Sequence, residues 1–139
     1  MGYQQFLMLV LAVLIVGISV SVGLDMFNQN SRRINRQVLI SEMNIYAGVA
    51  NAFYKTPVSL GGGGRTWDVD RLGYWLGFNY NPTTNTTSSN NGIYTFSSSG
   101  DILTIIGVGT EIGNNGSMNV QATMTIQGAN CQIVTIINN

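Results

Sequence analysis

Nineteen consecutive residues, Phe6 to Leu24, read FLMLVLAVLIVGISVSVGL without a single charge. A run of this length forms a helix that can cross the ~30 Å hydrocarbon layer of a bilayer at ~1.5 Å per residue. It cannot stand bare in water, so the chain must bury it in lipid or against copies of itself. Ser19 and Ser21 fit a helix of this kind because their hydroxyls bond back to carbonyls of the preceding turn. A cleaved secretory signal is the competing reading. Its apolar core usually spans only ~7–15 residues behind a basic segment. Here Met1 to Gln5 carry no charge and Ser19-Val20-Ser21 matches a small-x-small cleavage site weakly, which favours the span.

The helical pattern continues beyond Leu24. Ile34, Val38, Ile45, Val49 and Phe53 follow helical spacing, with Leu39, Met43, Tyr46, Ala50 and Tyr54 beside them. Gln37, Ser41, Asn44, Gly48, Asn51 and Lys55 form the opposite, polar stripe. No proline interrupts the chain before Pro57, where the helix is expected to end. One stalk helix over 1–56, ~75 Å over some fifty residues, accounts for this, with 1–25 apolar all round and 26–56 amphipathic. The segment Gly17 to Gly23 is its weak point, because two glycines and alternating β-branched residues lower helix propensity. Two readings stay open for Gly17 and Gly23: close packing between membrane helices, or a stretch that unwinds and lengthens the stalk.

Charge is scarce and unevenly placed. Six basic residues balance six acidic ones, and ten of these twelve lie between Asp25 and Arg71. Neutrality argues against a nucleic-acid partner, which would require a basic face. Histidine is absent, which removes Ser-His-Asp and Cys-His chemistry and most zinc sites. The lone Cys131 closes no intrachain disulfide and is expected to be a buried or inert thiol. No nucleophile–base pair, metal cluster or cofactor loop remains, so the chain reads as a structural protein rather than an enzyme, with no cofactor, no metal and no catalytic residue.

Residues 57–139 read as a neutral, polar head. Gly61 to Gly64 lack the Gly-Lys-Ser or Gly-Lys-Thr of a phosphate loop and are expected to be a flexible turn. The aromatic-rich stretch with Trp67, Tyr74, Trp75, Phe78 and Tyr80 is expected to pack the head on the amphipathic helix, with Asp68 and Asp70 pairing Arg65 and Arg71. Residues 81–92 hold only Asn, Pro, Thr, Ser and Gly, a solvent-facing loop by composition. Asn85 and Asn115 match the N-glycosylation acceptor pattern. From Ile93 the period changes to two: 93–96, 102–108, 120–127 and 133–137 read as strands of an antiparallel meander. The fold class is therefore α+β: a long N-terminal helix packed by a C-terminal antiparallel sheet (93–139), with a loop-rich region (57–92) between them.

That architecture, apolar then amphipathic over residues 1 to 55 and sheet-capped, resembles the type IV pilin superfamily. The resemblance implies a prepilin held in the inner, cytoplasmic membrane by its apolar half and trimmed by a prepilin peptidase. An assembly machine then builds the subunits into a homopolymeric helical filament on the cell surface. It places Phe6, Leu7, Leu9, Val10, Leu11, Val13, Leu14, Ile15, Ile18, Val22 and Leu24 in the filament core, with Gln4 and Gln5 as polar contacts at the N-terminal end. Gly17 and Gly23 would bound its melted stretch, and Ile34 to Tyr54 would dock the head. The family usually carries a glutamate at the fifth mature position; counted from Met1, this chain has Gln5. Arg32, Arg33 and Arg36 would by themselves hold the head in the cytoplasm, so the resemblance also implies a removed basic leader and makes this the mature form. A pseudopilin of a secretion or DNA-uptake apparatus shares the fold. A membrane-anchored β-head receptor or adaptor shares the stalk.

Overall fold

A computed structural model describes residues 2–77, 79–128, 130 and 132–138. The expectations for Cys131 and Phe78 lie outside the described residues. Helix α1, Gly2–Lys55, is continuous over 54 residues and so runs roughly 80 Å. Helix α2 (Val69–Leu76) follows, then strands β1 (Tyr80–Asn81), β2 (Thr86–Ser88), β3 (Gly92–Ser99), β4 (Ile102–Ile112), β5 (Asn119–Gln127) and β6 (Gln132–Ile137). The six strands form one antiparallel sheet in sequence order. This is the α+β arrangement the patterning called for.

Alternation gives the sheet one apolar face. Tyr94 and Phe96 of β3, Leu103 and Ile105 of β4, and Val120, Ala122, Met124 and Ile126 of β5 are buried against Leu39, Met43, Ala47, Ala50, Phe53 and Tyr54 of α1. The register puts Phe96 opposite Ile105, and Ile105 opposite Met124. The docking stripe on α1 takes Leu39, Met43, Ala50, Phe53 and Tyr54 from the expected apolar set and leaves others outside. Ile34 and Ile45 remain 51% and 63% exposed, and Val38 and Val49 are half-buried. Two apolar stripes compete on this helix, and a single sheet covers only one. The side carrying Ala47 and Ala50 lets the sheet come closest, and close packing of core side chains favours that side.

The four glycines fold back on the end of α1 in a turn whose last residues cap the helix. Gly63 N–H donates to the Phe53 carbonyl at 2.8 Å, Arg65 N–H to Tyr54 at 2.9 Å and Gly64 N–H to Thr56 at 2.9 Å. These bonds satisfy carbonyls that a helix end otherwise leaves unpaired. The approach tolerates no side chain: a Cβ on Gly62 would sit 2.2 Å from the Thr56 carbonyl oxygen, and one on Gly63 2.7 Å from the Phe53 ring.

Apolar periodicity showed nothing of α2. Asp68 starts it as an N-cap, accepting from Arg71 N–H at 3.1 Å, so this carboxylate serves the backbone. Residues 81–92, expected to be a solvent-facing loop, contribute β1 and β2, and Thr87 and Gly92 are buried. Thr87 pairs with Tyr94 and Thr86 with Thr95. A β-branched threonine suits a strand as well as it suits a loop, and composition alone does not separate the two.

Candidate functional site: an uncovered stalk above a polar clamp

Every side chain of α1 from Gly2 to Asn30 is exposed, and the core begins only at Asn35. The eleven apolar residues named for the assembly core are between 38% and 65% exposed. Met8, Val16, Val20, Met26 and Phe27 are equally uncovered, so the apolar surface encircles the rod and passes Asp25 to reach Phe27. A helix that is apolar all round signals this, since every azimuth then contributes. Gln4 and Gln5 sit exposed at the first turns, and Gly17 and Gly23 lie inside unbroken helix with open space beside each. The Ser19 hydroxyl donates to the Ile15 carbonyl at 2.8 Å, the back-bonding its position implied. By length and composition the helix is apolar enough to cross a membrane.

Where the rod enters the head, polar side chains fasten it. The Glu42 carboxylate accepts from Ser89 Oγ and Asn91 Nδ2, each at 2.6 Å, and from the Tyr94 hydroxyl. Asn35 Nδ2 donates to the Asn91 carbonyl at 3.1 Å, and its Oδ1 accepts from Glu111 N–H at 3.4 Å. At the far end of the contact the Tyr54 hydroxyl donates to Asp101 Oδ1 at 2.8 Å. Trp67 lies on the Tyr54 ring at 4.6 Å between centroids and donates to the Asp101 carbonyl at 3.0 Å. The sequence reading missed Glu42. Its only signal was a carboxylate at the edge of the amphipathic stripe, and its partners lie 47 to 52 positions away.

Partial burial raises the Glu42 pKa, but the hydrogen bonds from Ser89, Tyr94 and Asn91 lower it further, leaving it below its ordinary 4.5. Burial first, and then the bond to Glu42 and its negative charge, raise that of Tyr94. A carboxyl whose folded pKa is depressed contributes stability that is present above its unfolded pKa and lost as pH falls through the folded one. The head should therefore hold its Tm from neutrality to about pH 4.5 and lose stability below it. Glu42→Gln should cost about 1–2 kcal/mol at pH 7 through the lost charge-assisted bonds and flatten the acid limb. Thermal melts between pH 7 and 3 check this; an unchanged acid limb in the variant would assign the slope to other carboxylates.

The two glycosylation candidates differ. Asn115 is exposed in the β4–β5 turn, with its Oδ1 accepting from Ser117 and Met118 N–H. Asn85 is half-buried, with its Oδ1 2.9 Å from the Tyr80 hydroxyl. Among the described residues no group of three or more Cys, Asp or Glu side chains is placed to hold a metal ion. No protein family, curated protein or solved structure matches the chain. The class is thus defined by architecture: a long, partly uncovered N-terminal helix carrying a six-stranded antiparallel sheet, an arrangement compatible with a pilin-like fold.

Proposed function

We propose that this chain is the structural subunit of an extracellular type IV pilus-like filament, assembled by packing the apolar halves of α1 in the filament core. The observation that carries the reading is the division of α1. Asn35, Leu39, Met43, Ala47, Ala50, Phe53 and Tyr54 are buried under the head, while 2–24 carry no charge and have no partner among the described residues. A surface of that kind requires copies of itself, or lipid while the subunit waits in the cytoplasmic membrane. A prepilin peptidase and the pilus assembly machinery are its transient partners. The filament itself is a homopolymer, with no catalytic role, no cofactor and no nucleic acid.

The last strand supports contact between heads. All of β6 is exposed and it closes the sheet as an edge, with Ile133, Val134, Ile136 and Ile137 between 41% and 57% exposed. Monomeric proteins guard such edges with charge or proline, and this chain has neither after Glu111. Electron microscopy of material sheared from cells, with intact mass of the same fraction, tests the proposal. Thin fibres built of a ~15 kDa subunit are the expected result. A protein that stays with the membrane and yields no fibres would instead be an anchored receptor or a pseudopilin.

A further inference from the structure

Asp70, Gly73, Tyr74 and Gly77 recur along one side of α2 and its C-terminal cap, at the spacing that aligns side chains on a helix. Opposite them stand Tyr80 and Pro82, and the six residues line a cavity of about 340 Å³, within the range of small-ligand sites. Its wall is built in advance. The Tyr80 hydroxyl lies 3.0 Å from the Val69 carbonyl and 2.9 Å from Asn85 Oδ1, either of which accepts its proton. The Tyr80 ring is seated on Gly73, where a Cβ would come within 2.1 Å of it. Tyr74 is 88% exposed, a large aromatic ring left in water beside the cavity.

The lining chemistry selects the ligand. Among the described residues around the cavity Asp70 is the only charged one, and apart from two tyrosine hydroxyls no other described lining side chain is polar. An anion would meet an uncompensated carboxylate. A sugar would bring several hydroxyls and find too few partners for them, each unpaired one costing binding free energy. A methylated ammonium group has no N–H to satisfy when fully substituted. It needs aromatic and apolar contact together with one opposite charge. The negative potential already acts on the wall: burial, then Asp70 and Asp68, push the pKa of Tyr80 up. We infer that the Asp70–Tyr74–Tyr80 cavity binds a trimethylammonium group, a site on the head that does not depend on how the stalk is used.

The test titrates choline chloride into the full chain, held in micelles of a polyethylene glycol ether detergent, and follows tyrosine fluorescence. Phosphocholine and methyl glucoside are titrated in parallel. Choline should saturate with a Kd on the order of millimolar, as expected for a small cation on aromatic faces. Phosphocholine should bind more weakly because its phosphate faces Asp70, and methyl glucoside should give no saturable response. Asp70→Asn should weaken choline binding roughly tenfold with an unchanged Tm. Tyr74→Ala should weaken it several-fold, again without loss of fold, because the side chain is exposed. No saturation with choline, a stronger response to the glucoside, or undiminished binding by Asp70→Asn would each overturn the inference. A phosphocholine response exceeding that of choline would overturn the assignment to a bare cation and point to the lipid headgroup. None of these results bears on whether the chain forms filaments.

Discussion

Leu11→Arg should abolish filaments while leaving the head folded. Leu11 sits mid-stalk, 57% exposed in the single subunit, and in a packed core it would be surrounded by apolar side chains of its neighbours. Along its own helix the next acidic residue is Asp25, fourteen positions or roughly 20 Å away, so a guanidinium there has no carboxylate of its own chain beside it. Burying an unpaired charge costs several kcal/mol per subunit. At ~1.4 kcal/mol per tenfold, about 5 kcal/mol raises the subunit concentration needed for growth by three to four orders of magnitude. Leu11→Met, which conserves volume, should assemble normally. Negative-stain images of sheared fractions, with membrane fractions probed for the subunit, read out both variants. Normal fibres from Leu11→Arg would remove the stalk from the assembly role.

Phe53→Ala should be the most damaging single change to the head. Phe53 is fully buried, meets the Trp75 ring edge-on at 5.9 Å between centroids and sits beneath the glycine cap, whose Gly63 N–H its own carbonyl accepts. Truncating a buried phenylalanine costs about 3–5 kcal/mol. For a head of this size that corresponds to a fall in Tm of at least ~12 °C. Near-UV circular dichroism should report the loss through Trp67 and Trp75, while the far-UV signal keeps a contribution from the micelle-protected stalk helix. A loss below about 1 kcal/mol would mean that the junction is held by Glu42, Asn35 and Tyr54 rather than by packing.

What was legible in the sequence followed periodicity. The unbroken apolar run and the absence of proline before Pro57 foretold α1 nearly to its last residue. Strict alternation at Val120, Ala122, Met124 and Ile126 foretold β5 and its buried face. Periodicity failed where two signals overlapped or none existed. Ile34 and Ile45 lie on a second apolar stripe of α1, and which stripe the sheet takes depends on how closely it approaches Ala47 and Ala50. Helix α2 is only eight residues long, too short for a repeat to emerge, although Asp68 ahead of Val69, Leu72 and Leu76 was an N-cap signal. Strands β1 and β2 were hidden by polar composition. The features that bind elements together were the least legible: Glu42 with Ser89, Asn91 and Tyr94, the glycine cap, and the α2 cavity. Each joins residues through tertiary proximity, with no local pattern to announce it.

The way the sheet grips α1 also fixes an angle. Asn35, Leu39, Met43, Ala47, Ala50 and Tyr54 lie along one line of the helix, so the head hangs from a single side of a rod that is unbroken to Gly2. The phase between head and stalk is therefore written into the number of residues between Leu24 and Asn35. One residue added there would turn the head by ~100° and shift it by 1.5 Å relative to the apolar segment. A seven-residue insertion would return it to within ~20° while moving it outward. In the proposed helical array the azimuth of every head would then be set by this short neck, an indexing device as much as a spacer.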